Sequence, residues 1–414
     1  MHSQFLNDAP EYQRRVQTPF APTKVTLAEI QAAVPKRLFG RSTFTALMYV
    51  FRDILCATVV YKLGWQIAPM INGVIIAGWP DLAAYLLKCG LWGLYWYTQG
   101  IILAGWWCLA HEAGHGTLSP YPWVNHVVGF SMQTFLLAPY FAWRSTHRRH
   151  HKATSSVERD ENYVPRTRSG YGLPSRYTAI PSDYHEVFED APVYTLLCLL
   201  FMQALGWQYY LLTNVWGNPS YPPGTNHFNP SSPLFKPNER NGIIASNVGL
   251  AIMAFLLYWW GSGVGPGNFF AFYFVPYILA NHWIVIITYL QHTDPTIPHY
   301  RREQWTFLRG ALSTVDRPLL GWVGRFFLHN VCHDHIAHHI FSSIPFYNQP
   351  QVTEAIKKVL GDDYIYDSTN TYRSLYRNFT QCCLIEDDGD ILFYKNEQGR
   401  AARDLLEATV VELH

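Results

Sequence analysis

Charge is scarce in this chain. Of its 414 residues only 15% are Asp, Glu, Lys or Arg, against about 25% in soluble domains, and 31 basic residues nearly cancel 30 acidic ones to leave a net charge of +1. Without a basic excess, no nucleic-acid partner is expected. The seven cysteines lack any C-x-x-C spacing and lie mostly in apolar runs, so no disulfide framework is expected. The first residues, through Asp8, Arg14 and Arg15, hold no apolar core of the kind a cleaved signal needs. Insertion into a membrane would therefore use internal segments. Neither a fixed-period repeat nor a low-complexity tract is present.

What the chain does have is apolar surface: 49% of residues are hydrophobic and 16% aromatic. These proportions exclude disorder and make a membrane protein the leading class. From Asn241 to Thr293 there is no charged side chain, and Gly261, Gly263, Gly265, Pro266 and Gly267 interrupt the run, which reads as two spans joined by a tight turn. Cys89 to Ala110 is equally uncharged, and an apolar segment from near Ile54 continues through Leu63 to Pro80. These predict a second hairpin turning at Trp79, Pro80 and Asp81. Two other apolar stretches are ambiguous, Val127 to Trp143 and Ala191 to Trp216. After Arg301 charge density is ordinary, and an amphipathic helix is expected over Val352 to Leu360, ending at Gly361. Lys36, Arg37, Arg41, Arg148, Arg149 and Lys152 flank the apolar runs and assign those flanks to the cytoplasmic side.

The 18 histidines are clustered. His111 and His115 lie in H-E-A-G-H, directly after a predicted span. His147, His150 and His151 form H-R-R-H-H, and His335, His338 and His339 form H-I-A-H-H. On a helix, i, i+3 and i+4 spacings bring side chains to one face, so each cluster can aim its rings at one point. The isolated His2, His126, His185, His227, His282 and His414 read instead as surface or satisfied polar residues. Eight clustered imidazoles exceed what one tetrahedral ion uses, so two metals sharing them is the simpler solution. Imidazole suits zinc, copper, iron and nickel alike. The setting narrows the choice, because at the face of an apolar bundle the substrate at hand is a hydrocarbon chain. An unactivated C–H bond lies beyond side-chain acids and bases, whereas redox iron with dioxygen can break it.

Residues 111 to 115 also match H-E-x-x-H, the zinc-protease signature in which the Glu acts as base. That reading leaves six clustered histidines unused. In the di-iron reading Glu112 orients a ligand ring. For the three clusters to meet, an even number of crossings must separate them. Val127 to Trp143 must then be re-entrant or interfacial, and Ala191 to Trp216 is the segment expected to lie along the membrane. Four spans remain.

With the three clusters in view, the sequence resembles the membrane-bound fatty acid desaturases, most closely the fungal and plant delta-12 (oleate) type. The likeness runs from about Thr26 to Thr369. It includes F-L-L-A-P-Y-F-A-W-R before the second cluster, E-R-D-E at Glu158 to Glu161, G-W-Q-Y-Y-L-L-T-N-V from Gly206, G-T-N-H-F-N-P from Gly224, L-Q-H-T-D-P-T-I-P-H-Y from Leu290 and R-G-A-L-S-T-V-D-R from Arg309. The resemblance implies two iron ions held by nine histidines, the eight above plus His292 in L-Q-H-T. His299, His329 and His333 are weaker ligand candidates, and Glu112, Asp160 and Asn330 are expected beside the ligands. It further implies an all-α membrane protein, four transmembrane helices in two hairpins capped by a cytosolic helical domain that carries the metals. The chain would divide into a cytosolic segment 1–45, a desaturase domain 46–349 and a cytosolic tail 350–414.

The implied activity is oxygen-dependent desaturation of a membrane-associated fatty acyl chain, in the endoplasmic reticulum, with the histidines facing the cytosol. Acetylenase, hydroxylase and conjugase chemistry use similar scaffolds. Neither a dinucleotide fingerprint nor an H-P-G-G haem segment is found, so by resemblance the electrons come from cytochrome b5 and its NADH-dependent reductase. The sequence departs from the family pattern at Ala113, Gly116 and His333, and in I-P-F-Y-N-Q after the third cluster, which leaves product class less defined than reaction family.

Overall fold

The computed structural model describes residues 7–188 and 191–406; His2 and His414 lie outside the described residues. Short helices α1 (Pro10–Gln17) and α2 (Leu27–Ala33) lead into α3 (Thr43–Trp65), α4 (Ile67–Ile76) and the 35-residue α5 (Asp81–His115). There follow α6 (Pro122–Phe135), α7 (Tyr140–Ala153), α8 (Pro181–Phe188), α9 (Pro192–Thr213), α10 (Arg240–Val264) and α11 (Pro266–His292). The remainder is α12 (Phe307–Ala311), α13 (Gly321–Phe327), α14 (His335–Ile340), α15 (Gln349–Leu360) and α16 (Thr371–Gln381), with one two-stranded pairing of His299–Tyr300 on Ile391–Leu392. The protein is an all-α membrane protein, as expected.

Both expected hairpins are present. The first turns at Gly78, whose φ of 82° suits glycine, before Pro80 precedes α5. The second turns at Gly265, with φ 85°. Among the described residues, length and composition select four stretches able to cross a membrane: Thr43–Ile76, Pro192–Thr213, Pro237–Val264 and Pro266–His292. This set differs from the expected spans in two places. The stretch from Cys89 to Ala110 is not selected, although α5 is about 50 Å long at 1.5 Å per residue. Its many Trp and Tyr residues lower its hydropathy. It nevertheless packs along both α3 and α11, and close approach is built in: a Cβ on Gly100 would come within 2.6 Å of the Leu279 Cβ, the small-residue contact typical of membrane helices.

The other difference is α9, expected along the membrane and here long and apolar enough to cross it. Its two flanks attach to the same part of the molecule. On the N-terminal side Arg168 pairs with Glu386 and Phe188 packs on Tyr171, while on the C-terminal side Gly217 bridges Asn162 and Asn218 bonds the Asp160 carbonyl. Val127 to Trp143 divides into α6 and α7 around Pro139. At 14 residues, or about 21 Å, α6 is too short for a crossing. Helix α15 ends at Gly361, φ 53°, where the sequence places its stop.

The segments beyond the apolar helices form one packed layer. Ala9 N–H donates to Thr369, Phe20 N–H donates to Asp404 O, and Arg377 reaches Asp8 at 2.8 Å. At its centre Arg317 and Arg377 share Asp294 and Asp367 at 2.7 to 3.3 Å, all four nearly inaccessible. Removing one partner of such a buried network costs about 3–5 kcal/mol.

A second pairing in this layer is pH-sensitive. Glu386 accepts from Arg168 at 2.7 and 2.9 Å and pairs with Lys395 at 2.7 Å. Burial alone would raise its pKa, but Arg168 and Lys395 outweigh burial and hold it at about 2, below the usual 4.5. A carboxylate depressed in the fold contributes stability that is complete above its unfolded value and is lost as pH falls through the folded one. Protection from hydrogen exchange across residues 165–188, relative to the intrinsic rate at each pH, is expected to fall between pH 4.5 and 2 in the wild-type chain. The same window should be silent in Glu386→Gln; an equal response there would refute the assignment.

Candidate metal centre

The nine histidines expected as ligands converge. Five of them, His111, His115, His147, His151 and His338, bring ligand atoms within 4.8 Å of one another, as do His150, His292 and His339. His335 joins the second group through a 2.9 Å approach of its Nε2 to that of His292. The groups touch: the His151 and His339 rings stack with centroids 4.0 Å apart. Local structure explains the convergence. His111 and His115 are the last residues on one face of α5, the second trio lies on the final turns of α7, and the third makes up α14. His292 ends α11. Just beyond it Thr293 O accepts from Asn378, and Asp294 is clamped by Arg317 and Arg377.

Second contacts orient the rings. The His111 Nδ1 faces Glu112 Oε1 at 3.1 Å; the same oxygen lies 3.6 Å from His338 Nδ1, and Thr117 donates to the other carboxylate oxygen. The His150 Nδ1 meets Asp160 Oδ1 at 2.6 Å, while the Ser155 backbone N–H donates to Oδ2. His335 Nδ1 faces Val331 O, and His339 Nδ1 faces the Thr154 hydroxyl, both at 3.1 Å. A ring whose Nδ1–H is engaged in this way presents the Nε2 lone pair. Nε2 atoms of other rings point at each other, those of His115 and His151 lying 3.0 and 3.1 Å from that of His147, and His338 and His339 Nε2 are buried without a hydrogen-bond partner. Unprotonated nitrogens gathered in this way fit bound cations and little else. Burial and the neighbouring rings favour neutral imidazole, pushing His147, His151, His335 and His339 well below the usual 6.5 and His338 to about 3.

Not every expected residue joins this centre. Asn330 bonds Phe346 O and Arg325, none of the nine rings. Its φ of 65° and its carbonyl, which accepts from His333 and Asp334 N–H, give it a turn-forming place before α14. His329 pairs instead with Asp53 of α3 at 2.7 Å, His299 packs on Tyr394, and His333 belongs to neither ligand group. Thr154 and the stacking rings Trp107, Trp143 and Tyr163, which lie against His111, His147 and His292, had no signature in the sequence. A narrow cavity of about 50 Å³ opens beside the rings, lined by Trp107, Trp207, Tyr210, Val285, Ile287 and Thr288 among others.

A bundle of apolar helices carrying buried, converging imidazoles beside an apolar cavity defines a metal-binding membrane enzyme that handles lipid chains. The chain belongs to the fatty acid desaturase family, whose profile, described as "Fatty acid desaturase", matches residues 90–370. It is 37% identical over 391 residues to a "Delta(12) fatty acid desaturase" of Mortierella isabellina, covering 93% of each chain. It is 37% identical over 377 residues to a "Delta(12)-fatty-acid desaturase" of Arabidopsis thaliana, 90% of this chain and 92% of that one. An "Oleate hydroxylase" of Claviceps purpurea is 35% identical over 403 residues, 91% and 82% of the two chains. The protein is thus an oxidoreductase of fatty acyl lipids.

Proposed function

We propose that the chain is a di-iron delta-12 desaturase converting oleoyl lipid to linoleoyl lipid. The observation that carries this reading is the pair of adjoining imidazole groups at the end of an apolar cavity. Five and four rings exceed one ion's needs, and Asp160 and Glu112 each serve a different group. The nine histidines are the proposed ligands. Bound iron with dioxygen would supply the oxidising power that unactivated C–H bonds demand. Each turnover removes two hydrogens from adjacent methylenes and, with two electrons and two protons, reduces dioxygen to two waters. The chain's own residues fix the geometry: Val285, Ile287 and Trp207 exclude water beside the rings, and the carboxylates hold the ring tautomers.

The electrons are assigned to cytochrome b5 and its NADH-dependent reductase, and the location to the endoplasmic reticulum membrane with the metal layer in the cytosol. The match to an oleate hydroxylase favours hydroxylation as the second reading. A peptidase is disfavoured, since Glu112 is engaged with His111, His338 and Thr117 and is not free to act as base. Expression in a yeast without polyunsaturated fatty acids, followed by gas chromatography, tests the proposal. Linoleate is the expected product. A hydroxylated acid would support the second reading, and an unchanged lipid profile would refute both.

A further inference from the structure

The cavity at the metal centre is small, about 50 Å³. A second cavity of about 560 Å³ lies outside it. Two residues line both, Tyr163 and Trp216. They come from separate segments, one following α7 and the other following α9, joined across the partition by the Asn162–Gly217 bridge and the Val164 N–H to Trp216 O bond. Both have positive φ, 56° and 62°, in the left-handed region that bulky side chains avoid. Such conformations persist where surrounding structure imposes them and gather at functional sites. The Tyr163 ring stacks on His292, centroids 5.4 Å apart and planes 7° from parallel. Trp216 is 36% exposed and packs on Tyr289.

We propose that Tyr163 and Trp216 are positioning residues that gate the passage between the outer vestibule and the metal-lined cavity and stop the substrate's bulky carrier there. This rests on the desaturase reading. The acyl chain passes between the two rings, the polar carrier does not, and the depth of the reacting methylenes is measured from that stop. The vestibule offers Arg166, exposed on its wall, to a carrier that bears negative charge. Because Tyr163 touches His292, an entering chain shifts a ring that contacts the metal centre.

Trp216→Gly and Trp216→Asn test the gate, since both residues accept positive φ and remove the ring without straining the backbone. In cells making oleoyl lipid, the ratio of the main double-bond position to its neighbours is expected to fall about tenfold, the scale of losing one well-fitted apolar contact, with bound iron unchanged. Trp216→Phe should fall between. Active variants that keep a single double-bond position would overturn the proposal. Loss of iron from both variants would also overturn it, by making Trp216 a support of the metal centre. Absence of any new double bond from the unaltered chain would instead sink the desaturase reading itself.

Discussion

Replacing His292 by alanine is expected to take desaturation below detection and to lower bound iron from about two ions per chain to about one, since the second ring group would lose the ring that joins His335 to it. His292 is the point where that group is most dependent on a single ring, because its Nε2 lies 2.9 Å from His335 and 3.4 Å from His150. It is also the one ring of the nine supplied by α11, so no neighbour on its helix can replace it. The five-ring group contains none of the residues that hold His292. Iron analysis of purified His292→Ala should therefore show a partial, not complete, loss. Alanine at His299 or His333, which lie outside both groups, should leave iron and product unchanged. Full iron content in His292→Ala would remove it from the ligand set.

The metal layer was legible because its signal is local. H-R-R-H-H and H-I-A-H-H place their rings on one helical face by spacing alone, and the end of a long uncharged run marks His292. The counting argument, that clusters which meet must be separated by even crossings, singles out Pro192–Thr213, whose two flanks attach to one part of the molecule although the helix is long and apolar enough to cross. Composition alone selects that helix and passes over Asp81–His115, because Trp and Tyr count as weakly apolar even where packing buries them.

What escaped was contact between distant segments. Asn330 sits beside His329 in sequence, yet its side chain turns to Phe346 and Arg325. His329 lies close to the third cluster but is drawn to Asp53, 276 residues away. Thr154 carries no motif, and only the approach of α7 to α14 brings its hydroxyl to His339. The Tyr163–Trp216 partition depends on two left-handed residues, which aromatic side chains give no reason to expect.

Glu112→Gln is the second substitution with a large expected effect, lowering desaturation about 10–100-fold, the usual cost of losing an outer-shell partner. One Glu112 oxygen faces Nδ1 of both His111 and His338, so this carboxylate couples the first histidine cluster to the third. Glutamine keeps an acceptor but loses the charge, and it cannot hold both Nδ1–H groups equally. Asp160→Asn should cost a similar factor through His150 in the other ring group. If the two groups hold ions that work on one bond, the losses should not multiply: the double variant should fall well short of the product of the single effects, since residues that act as a unit are grossly non-additive. Simple multiplication would mean two independent sites and would sink the shared centre. Peptide cleavage by the unaltered chain, abolished in Glu112→Gln, would instead return Glu112 to the role of a base.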